Sequence, residues 1–92
     1  MIVSFIHKGL EKFYLNGSTA GLQVKHTKKV KRVLHGLDKA EKPEDMDFPG
    51  FKLHPLRGNR KGIWAVSVSG NWRITFSFNG RNAQNVNYED YH

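Results

Sequence analysis

The side chains richest in chemistry fall in the second half of this sequence. His54 stands immediately before Pro55. Arg57, Arg60 and Lys61 follow in a stretch punctuated by Gly58 and Gly62. Arg73 lies in a run of alternating residue types, and the chain ends Glu89-Asp90-Tyr91-His92. A histidine, a tyrosine and a carboxylate on a basic surface are what phosphodiester cleavage needs without a metal. A base takes the proton of an attacking ribose 2′-hydroxyl, an acid protonates the leaving oxygen, and fixed cations hold the charged phosphorane. His54 is the better candidate base. The terminal α-carboxylate lies close to the ring of His92 and favours its imidazolium form, which suits a general acid or a phosphate-orienting cation, with Asp90 adding to the effect. Tyr91, with a reference pKa of about 10, can donate a proton but makes a poor base. Arg73 suits the developing phosphate charge, and Arg57, Arg60 and Lys61 suit phosphate binding. Each group also has an ordinary reading: a polar surface histidine, an exposed strand arginine, a strand-anchoring tyrosine, a frayed terminal residue.

The charge balance supports a polyanionic partner. Lys and Arg number 15 against 8 Asp and Glu, a net charge of +7. From Phe48 to Tyr88 there is no acidic residue, while Lys52, Arg57, Arg60, Lys61, Arg73 and Arg81 all fall there. Such asymmetry fits nucleic acid, a ribosome or an acidic protein. An earlier cluster, Lys25, Lys28, Lys29, Lys31 and Arg32, is a candidate ribosome contact, although a lysine-rich run is commonly just a solvated face. A divalent-metal nuclease is disfavoured, since it needs several convergent carboxylates and this half holds only Glu89 and Asp90. No cofactor is expected, and no Ser-His-Asp arrangement, phosphate loop or zinc spacing is present. The chain has no cysteine, which excludes a disulfide framework and a thiol nucleophile. No apolar run is long enough to span a membrane, and the opening residues do not read as a signal peptide, so a cytoplasmic protein is expected.

The elements that must position these groups are legible from periodicity. At 92 residues the chain is expected to be a single domain, residues 1–92. Residues 1–6 read as a strand. Residues 8–15 carry Leu10, Phe13 and Tyr14 at helical spacing, closed by Asn16-Gly17. Residues 22–40 form an amphipathic helix with Val30, Val33, Leu34 and Leu37 inward; His26 falls on that stripe as a core-edge residue rather than a ligand. Residues 41–49 are a linker within the domain, and 51–54 a short strand stopped by Pro55. Trp64, Val66 and Val68 alternate with Ala65, Ser67 and Ser69, and Gly70-Asn71 fits a two-residue hairpin turn. Trp72, Ile74, Phe76 and Phe78 alternate with Arg73, Thr75, Ser77 and Asn79, and Asn79-Gly80 signals a type I′ hairpin into a last strand. The result is an α+β fold: an N-terminal strand and two helices packed on one face of a mainly antiparallel, twisted sheet. The other face, bearing Arg73, Thr75 and Ser77, is left for water or a ligand.

Residues 52–76, KLHPLRGNRKGIWAVSVSGNWRITF, the ending NYEDYH and the opening MIVSFIHKGLEKFY resemble the HigB toxins of the RelE/ParE superfamily, bacterial type II toxin–antitoxin proteins. The likeness runs over the whole length; residues 17–50 match only in general character. It implies a RelE-like fold and a ribosome-dependent mRNA endonuclease (an mRNA interferase) that cuts mRNA in the ribosomal A site, stops translation and serves a bacterial stress response. The family's catalytic histidine in Leu-His-Pro falls on His54, its strand arginine on Arg73, and its C-terminal Asp-Tyr-His on Asp90, Tyr91 and His92. Arg57 stands where the family often has lysine, which suits phosphate clamping better than proton donation. Asn59 replaces a common aspartate and makes the loop more basic. The resemblance further implies mRNA on the ribosome and ribosomal RNA as partners, and a helix-turn-helix antitoxin resembling HigA, with operator DNA bound only through the complex. By exclusion, residues 22–40 are the candidate antitoxin surface. Two alternatives belong to other classes: a non-catalytic gyrase poison of the same superfold, and a plain RNA-binding module. A translation extract separates the three.

Overall fold

A computed structural model of the chain describes residues 1–91. Helix α1, Lys8–Asn16, starts where His7 Nδ1 accepts from the Leu10 N–H at 3.0 Å and stops at Gly17, whose φ of 78° supplies the left-handed cap. The following loop turns back onto the helix so closely that Gly9 and Gly21 meet backbone to backbone. A Cβ on Gly21 would lie 2.7 Å from Gly9 Cα. Gly21→Ala should therefore cost about 1–3 kcal/mol through overpacking, read as a fall of roughly 5–20 °C in the thermal midpoint.

The amphipathic helix is shorter than residues 22–40. Val24–His26 form a 3₁₀ turn, and α2 proper is Thr27–Lys39, burying Val30, Val33, Leu34 and Leu37 as the periodicity requires. Asp38 of α2 accepts from the Ile2 N–H at 3.1 Å and the Tyr14 hydroxyl at 2.7 Å, tying the N-terminal segment and α1 to the second helix. Gly36 leaves room for Met46 and Phe48, whose side chains lie 3.4 Å from where its Cβ would be. The 41–49 linker is thus packed, with a 3₁₀ turn at Pro43–Met46 and Met46 fully buried.

Four antiparallel strands form one sheet in the order β1-β2-β3-β4: β1 His54–Pro55, β2 Trp64–Ser69, β3 Trp72–Asn79 and β4 Asn82–Asp90. β1 is not the strand expected at 51–54. Phe51 is buried in a turn, Lys52 adopts a φ of 51°, and pairing begins only at His54. The Gly70-Asn71 turn is as expected, with Ser69 facing Trp72. The second hairpin turns one residue later than Asn79-Gly80. Asn79 pairs Asn82, so the loop is Gly80-Arg81 with positive φ only at Gly80, as a type II′ turn requires and a type I′ does not.

β4 carries a bulge that decides which side chains reach which face. Asn85 has a φ of 53°, its N–H is taken by Ser4 Oγ at 2.8 Å, and the pairing shifts between Thr75 and Ser77. Buried positions run Ala83, Val86, Tyr88, a three-residue step across the bulge and then a two-residue step. Residues 1–6 follow this irregular edge with two isolated parallel bridges, Ile2 to Ala83 and Phe5 to Val86, instead of the continuous strand expected.

The helices pack on the face carrying Val66, Ile74, Phe76 and Tyr88. The opposite face is less open than its polarity suggests, because Thr75 and its partner Ala65 are buried there. His26 is buried, as expected, with Tyr88. The Tyr88 hydroxyl accepts from the Gln23 N–H at 3.4 Å and shares a hydrogen bond of 2.6 Å with His26 Nδ1. His26 Nε2 is buried with no hydrogen-bond partner among the described residues. Burial, with Lys25 adding to it, lowers the His26 pKa, and burial lowers that of His7. Folding therefore favours the neutral rings. The unfolded chain takes up protons near the ordinary value of 6.5, so this stability is complete above that pH and is lost as pH falls below it. The thermal midpoint should drop as pH falls below about 6.5, and His26→Phe should flatten that drop, His7 keeping the remainder.

Candidate functional site

The open end of the sheet's polar face is a cleft of about 540 Å³ lined by His54, Pro55, Leu56, Arg57, Arg60, Arg73, Glu89, Asp90 and Tyr91. Each wall has a local cause. His54 sits on an edge strand next to a proline that offers no N–H for further pairing. Its Nδ1 donates to the Lys52 carbonyl at 2.8 Å, a bond made possible by the left-handed turn at Lys52. A carbonyl only accepts, so the neutral ring holds its proton on Nδ1 and keeps the Nε2 lone pair free to take another. The 57–62 loop, built on a 3₁₀ turn at Gly58–Arg60, brings Arg57 and Arg60 to the rim.

Arg73 lies across from Glu89 in the β3–β4 register. Its Nε donates to Glu89 Oε1 at 3.2 Å, and Arg60 Nη2 donates to the same oxygen at 3.0 Å. The Tyr91 ring covers the Arg73 guanidinium at 4.2 Å, held there by the Tyr91 N–H bond to the Asn71 carbonyl at 2.8 Å. Arg73 is therefore not the exposed strand residue expected, since its side chain is only 12% accessible. One donor is spent on Glu89, and the two Nη groups remain for an anion. A base, three guanidiniums and a phenol on one concave surface can bind a phosphodiester and exchange protons with it.

Of the expected site residues, the cleft unites His54, Arg57, Arg60, Arg73, Asp90 and Tyr91. Lys61 is exposed and outside the cleft lining, because the 3₁₀ turn carries it past the rim. Asp90 pairs with Trp72, so it reaches the cleft from the strand end, and the bulge gives the place beside Arg73 to Glu89. His92 lies outside the described residues. The 25–32 cluster divides. Lys25, Lys28, Lys31 and Arg32 are exposed, Arg32 standing over the Phe51 ring, whereas Lys29 is half-buried, donates to the Gly50 carbonyl at 2.9 Å and stands over the same ring. Sequence reasoning missed Glu89. Its signal was there as the lone acid matched in alternation with Arg73, but only once the extra residue in β4 is counted.

A family model for the RelE-like toxin of the type II toxin–antitoxin system HigB matches residues 3–92. The chain belongs to this family. It is also similar to Endoribonuclease HigB of Proteus vulgaris, 41% identical over 92 residues that span all of both chains. Two helices on a four-stranded antiparallel sheet are consistent with the RelE-like fold of these toxins. Membership in a HigB-like type II toxin–antitoxin system implies an antitoxin partner. Among the described residues no helix is long and apolar enough to cross a membrane.

Proposed function

We propose that this HigB-like toxin is an endoribonuclease that cleaves mRNA in the ribosomal A site by metal-independent acid–base chemistry. The convergence of His54, Arg73 and Tyr91 in one basic cleft carries the reading. His54 Nε2 takes the proton of the ribose 2′-hydroxyl, whose oxygen attacks the adjacent phosphorus. The bond to the 5′ oxygen breaks, leaving a 2′,3′-cyclic phosphate, and Tyr91 or His92, with Asp90 in support, protonates the departing oxygen. Arg73 stabilises the charge that builds on the phosphoryl oxygens, while Arg57 and Arg60 hold the flanking phosphates and Lys61 adds charge beside them. The exposed lysines of the 25–32 stretch contribute to contact with ribosomal RNA.

The chain acts as one RelE-like toxin domain, residues 1–92, in the cytoplasm. Its antitoxin is a HigA-like helix-turn-helix protein, and the complex, not the toxin alone, binds operator DNA. The test is a translation extract with a defined message. Breaks at codon positions that depend on ribosomes support the reading. Intact message alongside ribosome binding would reduce the protein to an RNA-binding module, and intact message with arrested DNA replication would make it a gyrase poison.

A further inference from the structure

We propose that Glu89 occupies the phosphate position of the cleft when RNA is absent, and so sets how selectively the site accepts RNA. The inference rests on the cleft being a phosphate site, as in the function proposed above. One oxygen, Glu89 Oε1, receives Arg60 Nη2 at 3.0 Å and Arg73 Nε at 3.2 Å. A carboxylate oxygen and a phosphoryl oxygen present the same charge and the same acceptor geometry to a guanidinium. The carboxylate is a quarter accessible and Arg60 about a third, so this bridge opens to the cleft and is not locked in the core. Two arginines joined to one carboxylate expose a net single positive charge, and removing that carboxylate leaves two.

An incoming phosphodiester finds the Arg73 Nη groups open but must compete with Glu89 for Arg73 Nε and Arg60 Nη2. A weakly held, mobile RNA fails to compete, whereas one already anchored along the cleft rim and elsewhere succeeds. The bulge at Asn85 is what makes this possible, because it turns Glu89 onto the face of Arg73. Glu89 here is a specificity-determining residue, an internal competitor that the reaction does not consume.

The experiment compares wild type, Glu89→Gln and Glu89→Asp for binding a short single-stranded RNA whose 2′-hydroxyls are methylated, so that it cannot be cut. Glu89→Gln should bind about three- to tenfold more tightly, the yield of releasing two partly exposed ion pairs. Its dependence of log K on log salt should be steeper by about 0.7, since one more arginine charge is available to neutralise a phosphate and release its counterion. Glu89→Asp, one methylene short of the bridge, should lie between, and it serves as the measurement if the Gln variant loses its unfolding transition. Arg73→Ala is measured in the wild-type and Gln backgrounds. Binding unchanged or weakened in Glu89→Gln, with Arg73→Ala weakening it in both, overturns the competitor role and leaves the phosphate cleft standing. Binding indifferent to Arg73 in both backgrounds overturns the cleft as well. If Glu89 competes for Arg73, the tightening in Glu89→Gln should shrink once Arg73 is Ala, whereas a gain of the same size in both backgrounds would be general charge repulsion and would overturn the competitor role.

Discussion

Arg73→Ala is expected to slow mRNA cleavage by on the order of a hundredfold or more while a cooperative unfolding transition persists. The guanidinium is held in two ways that an incoming phosphate leaves in place: one face by the Tyr91 ring, and the backbone by strand pairing on both edges of β3. A cation fixed in this way needs no reorganisation when charge builds on the phosphorane, which is the source of its effect. The side chain is 12% accessible, so its truncation also removes packing, at a cost of about 1–2 kcal/mol in stability. That cost lowers the melting temperature by several degrees without emptying the folded state. Arg73→Lys separates charge from shape. It retains one positive charge but loses the planar fork and the stack on Tyr91, and should recover only a small part of the rate. Near-normal cleavage by Arg73→Ala would remove it from the chemistry. Loss of cooperative unfolding would make its role structural.

The parts of this molecule that were legible in its sequence are those set by local period. Val30, Val33, Leu34 and Leu37 had only one face on which to lie, and Ile74 and Phe76 alternate cleanly with polar neighbours; all six are buried. The Gly70-Asn71 turn is likewise a local matter. What the sequence did not disclose depends on one extra residue paired across strands. Asn85 reads as an ordinary polar residue, but its left-handed φ shifts the β3–β4 register by one, and with it the neighbour of Arg73. Counting back from the hairpin without that shift opposes Arg73 to Tyr88 and hides Glu89 in the core. The same bulge breaks the pairing of residues 1–6, which have the composition of a strand but lie on an irregular edge. Lys52 is similar. A lysine with positive φ has no sequence signature, yet its turn presents the carbonyl that orients His54.

That orientation leads to the second large effect. His54→Ala should reduce cleavage on programmed ribosomes by roughly a hundred- to ten-thousandfold, the range expected for loss of a positioned general base. The stability change should be small, within about 0.5 kcal/mol, because the ring is exposed and hydrogen-bonds the nearby Lys52 carbonyl. Binding to the ribosome should persist, since it draws on basic residues spread over the chain and not on this ring. Added imidazole should restore part of the rate to the Ala variant, because the truncated side chain opens space at the cleft wall and the missing function is a proton acceptor. His54→Lys would instead add a cation without a neutral lone pair at working pH, and should remain slow while binding message more tightly. If the Ala variant cleaves at the wild-type rate, the base lies elsewhere, and Tyr91 and the terminal residues must carry proton transfer in both directions. If it loses binding in proportion to rate, His54 is a contact to the message and not its base.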